Sequence, residues 1–242
     1  MNLFDRYIEE LRAVLDAGSN VPHRDFQFDK KLKWPRLERE ELVLQQDTAV
    51  ELGNPRSESF AFILYTGDLS TVQDGRISLY GTNIPEIGSN ANTKSAAFGK
   101  IVLLGCDSFK DEEAYYYFEQ MDIVRFRLKL EGYMLRGFPQ RNREWSRISS
   151  KAFNKGFNLQ TLGNELIRDY KELPFVKSAE VVFFTEETFI KRLRPMAETC
   201  SKIAMALNKI FENITMDCKN CDASEVCDEI DGLKRIHRSL QV

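Results

Sequence analysis

The chain of 242 residues is 43% hydrophobic and 29% charged, and its 34 basic against 37 acidic side chains give a formal charge of -3. That length and apolar content suffice for a substantial core in one large or two small domains, and the near-balanced charge excludes a whole-molecule field that would recruit nucleic acid or an anionic membrane. No apolar run approaches the roughly 20 residues of a membrane span, and the acidic opening MNLFDRYIEELRAVLDAG is unlike a signal peptide, so the expected location is the cytoplasm.

Leu3, Phe4, Tyr7, Ile8, Leu11, Val14 and Leu15 recur at helical spacing, with Gly18 as a C-terminal stop. Residues 19–47 are polar and aperiodic, a long connection with a short element or two. From 48 to 106, ESFAFILYTG, GRISLYG and FGKIVLLGC are apolar or alternating runs bounded by Gly, Asp and Asn, as strands are, and Asp74-Gly75 suits a tight turn. In DEEAYYYFEQMDIVRFRLKL (111–130), Ala114, Tyr117, Phe118, Met121, Val124 and Leu128 form one helical face, with acids at the start and bases toward the end, as the helix dipole favours. RGFPQ (136–140) reads as a break. A helical stretch around 151–171, a strand SAEVVFFT at 178–185 and a long helix follow, the last capped by Thr185 and carrying Phe189, Leu193, Met196, Cys200, Ile203, Leu207, Ile210 and Ile214 on one stripe. Pro195 kinks that helix or marks its effective start. Strands and helices without regular alternation predict an α+β fold with mixed sheets and flanking helices.

Three of the five cysteines and one of the two histidines fall near the end, as Cys218, Cys221, Cys227 and His237. In a reducing compartment such a cluster more often binds metal than forms disulfides. Two thiolates separated by two residues grip a metal or cluster from a tight loop, and two further ligands close a tetrahedral set. Zinc and an iron-sulfur cluster both suit these donors, and spacing alone does not separate them; surface or buried thiols near a terminus are the plainer alternative. Cys200 and Cys106 read as small hydrophobes.

Together with this tail, AVELGNPRS (49–57), REWSRISSKA (143–152) and ELPFVKSAEVVFFTEE (172–187) resemble, in the same order, segments of the acetyl-CoA synthase (β) subunit of the carbon monoxide dehydrogenase/acetyl-CoA synthase complex. The resemblance covers roughly residues 48–240. It implies three parts: residues 1–47 as an N-terminal helix and polar connection, 48–214 as a domain like the middle domain of acetyl-CoA synthase, and 215–242 as a metal-binding tail. It also implies that Cys218, Cys221 and Cys227 are ligands of a [4Fe-4S] cluster, with His237 where the family's fourth cysteine is expected and a middle gap three residues shorter. The family's dinickel centre uses a downstream Cys-Gly-Cys, and no such sequence occurs here. The expectation is therefore a truncated, divergent relative that does not assemble acetyl on its own.

From Arg125 to Lys155 nine bases face two acids, Glu131 and Glu144, a local charge of about +7. Arginine forks fit phosphate oxygens, and an exposed Trp among them stacks on a purine. The resemblance implies that Trp145 and Arg147 belong to a coenzyme A site, and Arg136, Arg141 and Arg143 are neighbours by sequence. Against this stands a plainer picture in which Arg125, Arg127 and Lys129 are a solvated helix face and Trp145 is core. A nucleic-acid patch is the weaker reading, because no aromatic-basic module is present. The expected role is a subunit or accessory protein of anaerobic one-carbon metabolism, partnered by corrinoid or carbon monoxide dehydrogenase-type proteins. Its rivals are a zinc-pinned interaction module and a domain completed by another chain's nickel ligands.

Overall fold

The computed structural model describes residues 3–18, 21–35, 42–109, 113–128, 130 and 132–211. In chain order they form α1 (Asp5–Asp16), β1 (His23–Gln27), β2 (Thr48–Leu52), β3 (Ser59–Thr66), β4 (Arg76–Tyr80), α2 (Ile84–Gly88), β5 (Ser95–Ala96), β6 (Phe98–Cys106), α3 (Ala114–Arg127), β7 (Met134–Gln140), β8 (Arg143–Ser149), α4 (Ser150–Asn154), α5 (Leu159–Tyr170), β9 (Val176–Phe184) and α6 (Glu187–Phe211). Two mixed sheets result, ordered β1-β4-β9-β6-β3 and β5-β2-β8-β7. The α+β expectation is met.

The larger sheet is built on continuous apolar strands rather than alternating ones, because both of its faces are covered. All nine residues of β6 and all eight of β3 are buried. Direction alternates across it: β6 runs antiparallel to β9 but parallel to β3, and β9 runs parallel to β4. The helix α5 lies on the face carrying Ile77, so close that a Cβ at Gly163 would stand 2.7 Å from Ile77 Cγ2. Only glycine lets the backbone approach a branched side chain that nearly. On the opposite face lie α1, through the Arg12 guanidinium that grips Glu180 of β9 with two hydrogen bonds of 2.8 and 2.6 Å, and α6, through Phe189 against Tyr80 and Phe184.

Several elements carry their own start signals. Asn158 Oδ1 accepts from the Thr161 amide at 2.9 Å and opens α5, and Ser149 Oγ accepts from the Ala152 amide at 3.2 Å and opens α4. Thr185 does not spend its hydroxyl on α6. Its Oγ1 accepts from the Thr82 amide at 2.6 Å and donates to the Thr82 carbonyl at 2.9 Å, tying the end of β9 to the loop after β4. Pro195 lies inside α6 rather than at its start. The helix expected at 151–171 is two helices, broken where Gly156 takes φ 81°. Cys106 and Cys200 are buried, as expected of small hydrophobes.

The largest departure from the sequence reading is the hairpin β7–β8, since RGFPQ lies within β7. Gly137 stands opposite Trp145 in the register, and a Cβ there would come within 3.1 Å of the Trp145 ring, so the missing side chain seats the indole. Pro139 falls where the β7–β8 register shifts, on the outer strand of the small sheet, where its lack of an N–H costs no central ladder bond.

Candidate functional site

The strand β8 sorts its residues by parity. Glu144, Ser146 and Ile148 are buried, while Arg143, Trp145 and Arg147 are partly exposed on the other side. The buried side meets the large sheet, where Glu144 receives Lys100 of β6 and, at 2.7 Å, Arg136 Nε of β7. Arg136 Nη1 also donates to the Arg125 carbonyl at 2.6 Å. Burial would raise the Glu144 carboxyl, but Arg136 and Lys100 outweigh it and hold it down to about 2. Burial lowers the Lys100 ammonium to about 8, with Glu144 opposing. Burial pushes the Cys106 thiol up to about 12 and raises that of Cys200 as well, so neither is a ready thiolate.

On the open side, Glu51 of β2 lies directly across from Arg147. Its Oε1 accepts from Trp145 Nε1 and from Arg147 Nε, both at 3.1 Å, and the Arg147 guanidinium carbon sits 4.6 Å from the centroid of the indole. Asn54 Nδ2 reaches the other carboxylate oxygen at 3.3 Å. The turn that delivers Asn54 depends on Gly53, at φ 62°, where a Cβ would stand 2.5 Å from the Glu144 carbonyl oxygen. Beside this group opens a groove of about 260 Å³, lined by Gln45, Thr48, Glu51, Asn54, Lys94 and Arg147 among others. The Lys94 ammonium makes no ion pair among the described residues, which leaves it available to an anion.

The five predicted coenzyme A residues therefore divide. Trp145 and Arg147 share one open face. Arg136, facing Ser146 in the register, belongs to the buried side with Glu144. Arg141 pairs with Asp122 at 2.5 Å, and Arg143 donates to Ser59 Oγ at 3.2 Å and to the Ser57 carbonyl at 3.1 Å. Nor is the basic segment a continuous solvated surface: Arg125, which the plainer picture put on a solvated helix face, is 5% exposed and donates to the Arg141 carbonyl at 2.7 Å. Glu51 and Lys94 escaped the sequence reading. The signal for Glu51 was its outward place between Val50 and Leu52, but only the strand register ties it to Arg147.

The predicted metal ligands Cys218, Cys221, Cys227 and His237 lie outside the described residues. Among the described residues no group of three or more His, Cys, Asp or Glu side chains is placed to hold a metal. No described helix is long and apolar enough to cross a membrane. As a donor set, three thiols and an imidazole fit either an iron-sulfur cluster or zinc.

Residues 35–190 match the CO dehydrogenase/acetyl-CoA synthase complex beta subunit family. The chain belongs to this family. Similar proteins include the acetyl-CoA decarbonylase/synthase complex subunit beta 2 of Methanocaldococcus jannaschii, 27% identical over 152 residues that make up 62% of this chain and 30% of that protein. The carbon monoxide dehydrogenase/acetyl-CoA synthase subunit alpha of Moorella thermoacetica is 27% identical over 159 residues, 65% of this chain and 21% of that subunit. The acetyl-CoA decarbonylase/synthase complex subunit beta of Archaeoglobus fulgidus is 27% identical over 194 residues, 77% of this chain and 34% of that subunit. This member of the acetyl-CoA synthase beta-subunit family thus spans about a fifth to a third of the length of these relatives. The family match takes in β2, β5, β8 and the groove that opens over β2.

Proposed function

We propose that this chain is an acetyl-CoA synthase-related subunit or accessory protein of anaerobic one-carbon metabolism that binds coenzyme A in the groove over β2, between Arg147 of β8 and Lys94 beside β5. The observation that carries the reading is the placement of the Trp145 indole and the Arg147 guanidinium on one open face, beside Lys94, which has no ion-pair partner among the described residues. Arg147 and Lys94 suit the phosphates of the adenosine end, and the indole offers a stacking surface to its purine. In this reading Arg143, on the same side of β8, is a peripheral cation, while Arg136 and Arg141 support the fold from their ion pairs with Glu144 and Asp122. The reading concerns binding, and no acetyl-forming step is assigned to these residues.

The same proposal gives the Cys218, Cys221, Cys227 and His237 set an iron-sulfur cluster, which would supply electron transfer when bound, and gives the chain partners of the carbon monoxide dehydrogenase or corrinoid type. Membership of a family of complex subunits supports the first kind of partner. Titration calorimetry with coenzyme A tests the groove: Trp145→Ala and Arg147→Ala should each weaken binding about tenfold, the scale of one lost stacking or charge-assisted contact. Unchanged affinity in both variants would remove coenzyme A from the groove. Iron and sulfide analysis of protein purified without oxygen tests the tail, with about four of each expected for a cubane and a sharp drop in Cys218→Ser. One zinc and no iron would make the tail a structural clasp.

A further inference from the structure

We propose that Glu51 is an internal latch on this groove: its carboxylate stands on Arg147 where an incoming phosphate would bind, so the resting chain holds phosphorylated nucleotides more weakly than its cations alone would allow. The inference rests on the reading of the groove as a coenzyme A site.

Two of the groups that the ligand needs, Trp145 and Arg147, are engaged by the protein itself. Glu51 Oε1 takes the Trp145 N–H and the Arg147 Nε–H at the same 3.1 Å distance. The Arg147 guanidinium covers the indole with its carbon 4.6 Å from the ring centroid. Gly137 stands against the Trp145 ring from the neighbouring strand. A purine that stacks on the face beneath Arg147 must therefore move the guanidinium, and a phosphate that takes the Arg147 fork must share it with Glu51 or displace it. Across the groove the charges of Lys94, Arg147 and Glu51 sum to one net positive unit, and loss of the Glu51 charge doubles it.

The latch is built to open. Side-chain exposure of 21% for Arg147 and 27% for Glu51 leaves this pair within reach of water, and partly exposed pairs of that kind are weak. A dianionic phosphate makes stronger, charge-assisted bonds to the same fork. Once displaced, the Glu51 carboxylate still has a partner, because Asn54 Nδ2 already holds its second oxygen at 3.3 Å. Repulsion between the carboxylate and the phosphate sets the sign of the effect: removal of Glu51 tightens binding, although Glu51 also steadies Trp145 and Arg147.

The test is titration calorimetry of the full chain with adenosine 3′,5′-bisphosphate at two salt concentrations. The isosteric Glu51→Gln should bind about threefold or more tightly than wild type, the scale of a released surface ion pair. That gain should shrink as salt shortens the screening length to a few ångströms and vanish when Arg147→Ala is added. Glu51→Ala should move the same way, and it carries the test if the Gln variant folds poorly. Equal or weaker binding by both Glu51 variants, with wild-type binding still dependent on Arg147, would overturn the latch and leave the groove reading intact. No binding by wild type or any variant would overturn the groove reading and the latch with it.

Discussion

The two sides of β8 use the same chemistry to opposite ends. On one side Glu144 holds Lys100 and Arg136 in a site where the three side chains are 0%, 3% and 7% exposed. On the other, Trp145 and Arg147, one and three residues further along, share the carboxylate of Glu51 within reach of solvent. The buried pair cannot trade partners, because each charge has been stripped of water and is costly to leave alone. The open pair can, because water and salt compete for it continuously. Burial turns an ion pair into a fastener between the two sheets, and exposure turns the same pair into an exchangeable contact.

The largest loss of stability should come from Glu144→Gln. It leaves Lys100 and Arg136 buried without a counter-charge and should cost about 3–5 kcal/mol in denaturant unfolding, the usual penalty for removing one partner of a buried pair; a loss under about 1 kcal/mol would mean that the network is not a fastener. A pH series sharpens the point. With the Glu144 carboxyl held down to about 2, its contribution is present above the ordinary carboxylate range and fades as pH falls toward 2. The Lys100 ammonium is held down to about 8 against an ordinary 10.5, so the unfolded chain binds more protons between those values and stability rises with pH across that window. In Lys100→Met that alkaline rise should disappear from the unfolding curve. The smallest effect belongs to the open side, where Arg147→Met should change stability by less than about 1 kcal/mol while still weakening coenzyme A binding. A large stability loss there would make the open face part of the framework.

The class of fold, α1, the buried strands β3 and β6, and the stripe along α6 were legible because each is a local pattern of apolar residues. Trp145 and Arg147 were tied together by the basic run and the family resemblance; that they share one face follows only from β8, which no local apolar pattern announces. Arg136 was grouped with them by proximity in the chain, yet the register sets it opposite Ser146 and so on the buried side. The β7 strand was hidden because Gly137 and Pro139 ordinarily interrupt strands, and here one makes room for an indole while the other sits on an outer strand. Glu51 could not be found, since its bond to Arg147 spans 96 positions of sequence.

The position of β9 bears on how the chain comes to be folded at all. This strand, Val176–Phe184, lies between β4 and β6 in the middle of the large sheet, although it is the last in chain order among the described strands. Until it arrives, the nascent chain can pair β1 with β4 and β3 with β6, but the two half-sheets have no common partner and each keeps an open apolar edge. Completion is therefore a late, long-range event, slow by the measure of contact order, and a chain halted before Phe184 would display two unpaired edges of the kind that recruit chaperones or aggregate.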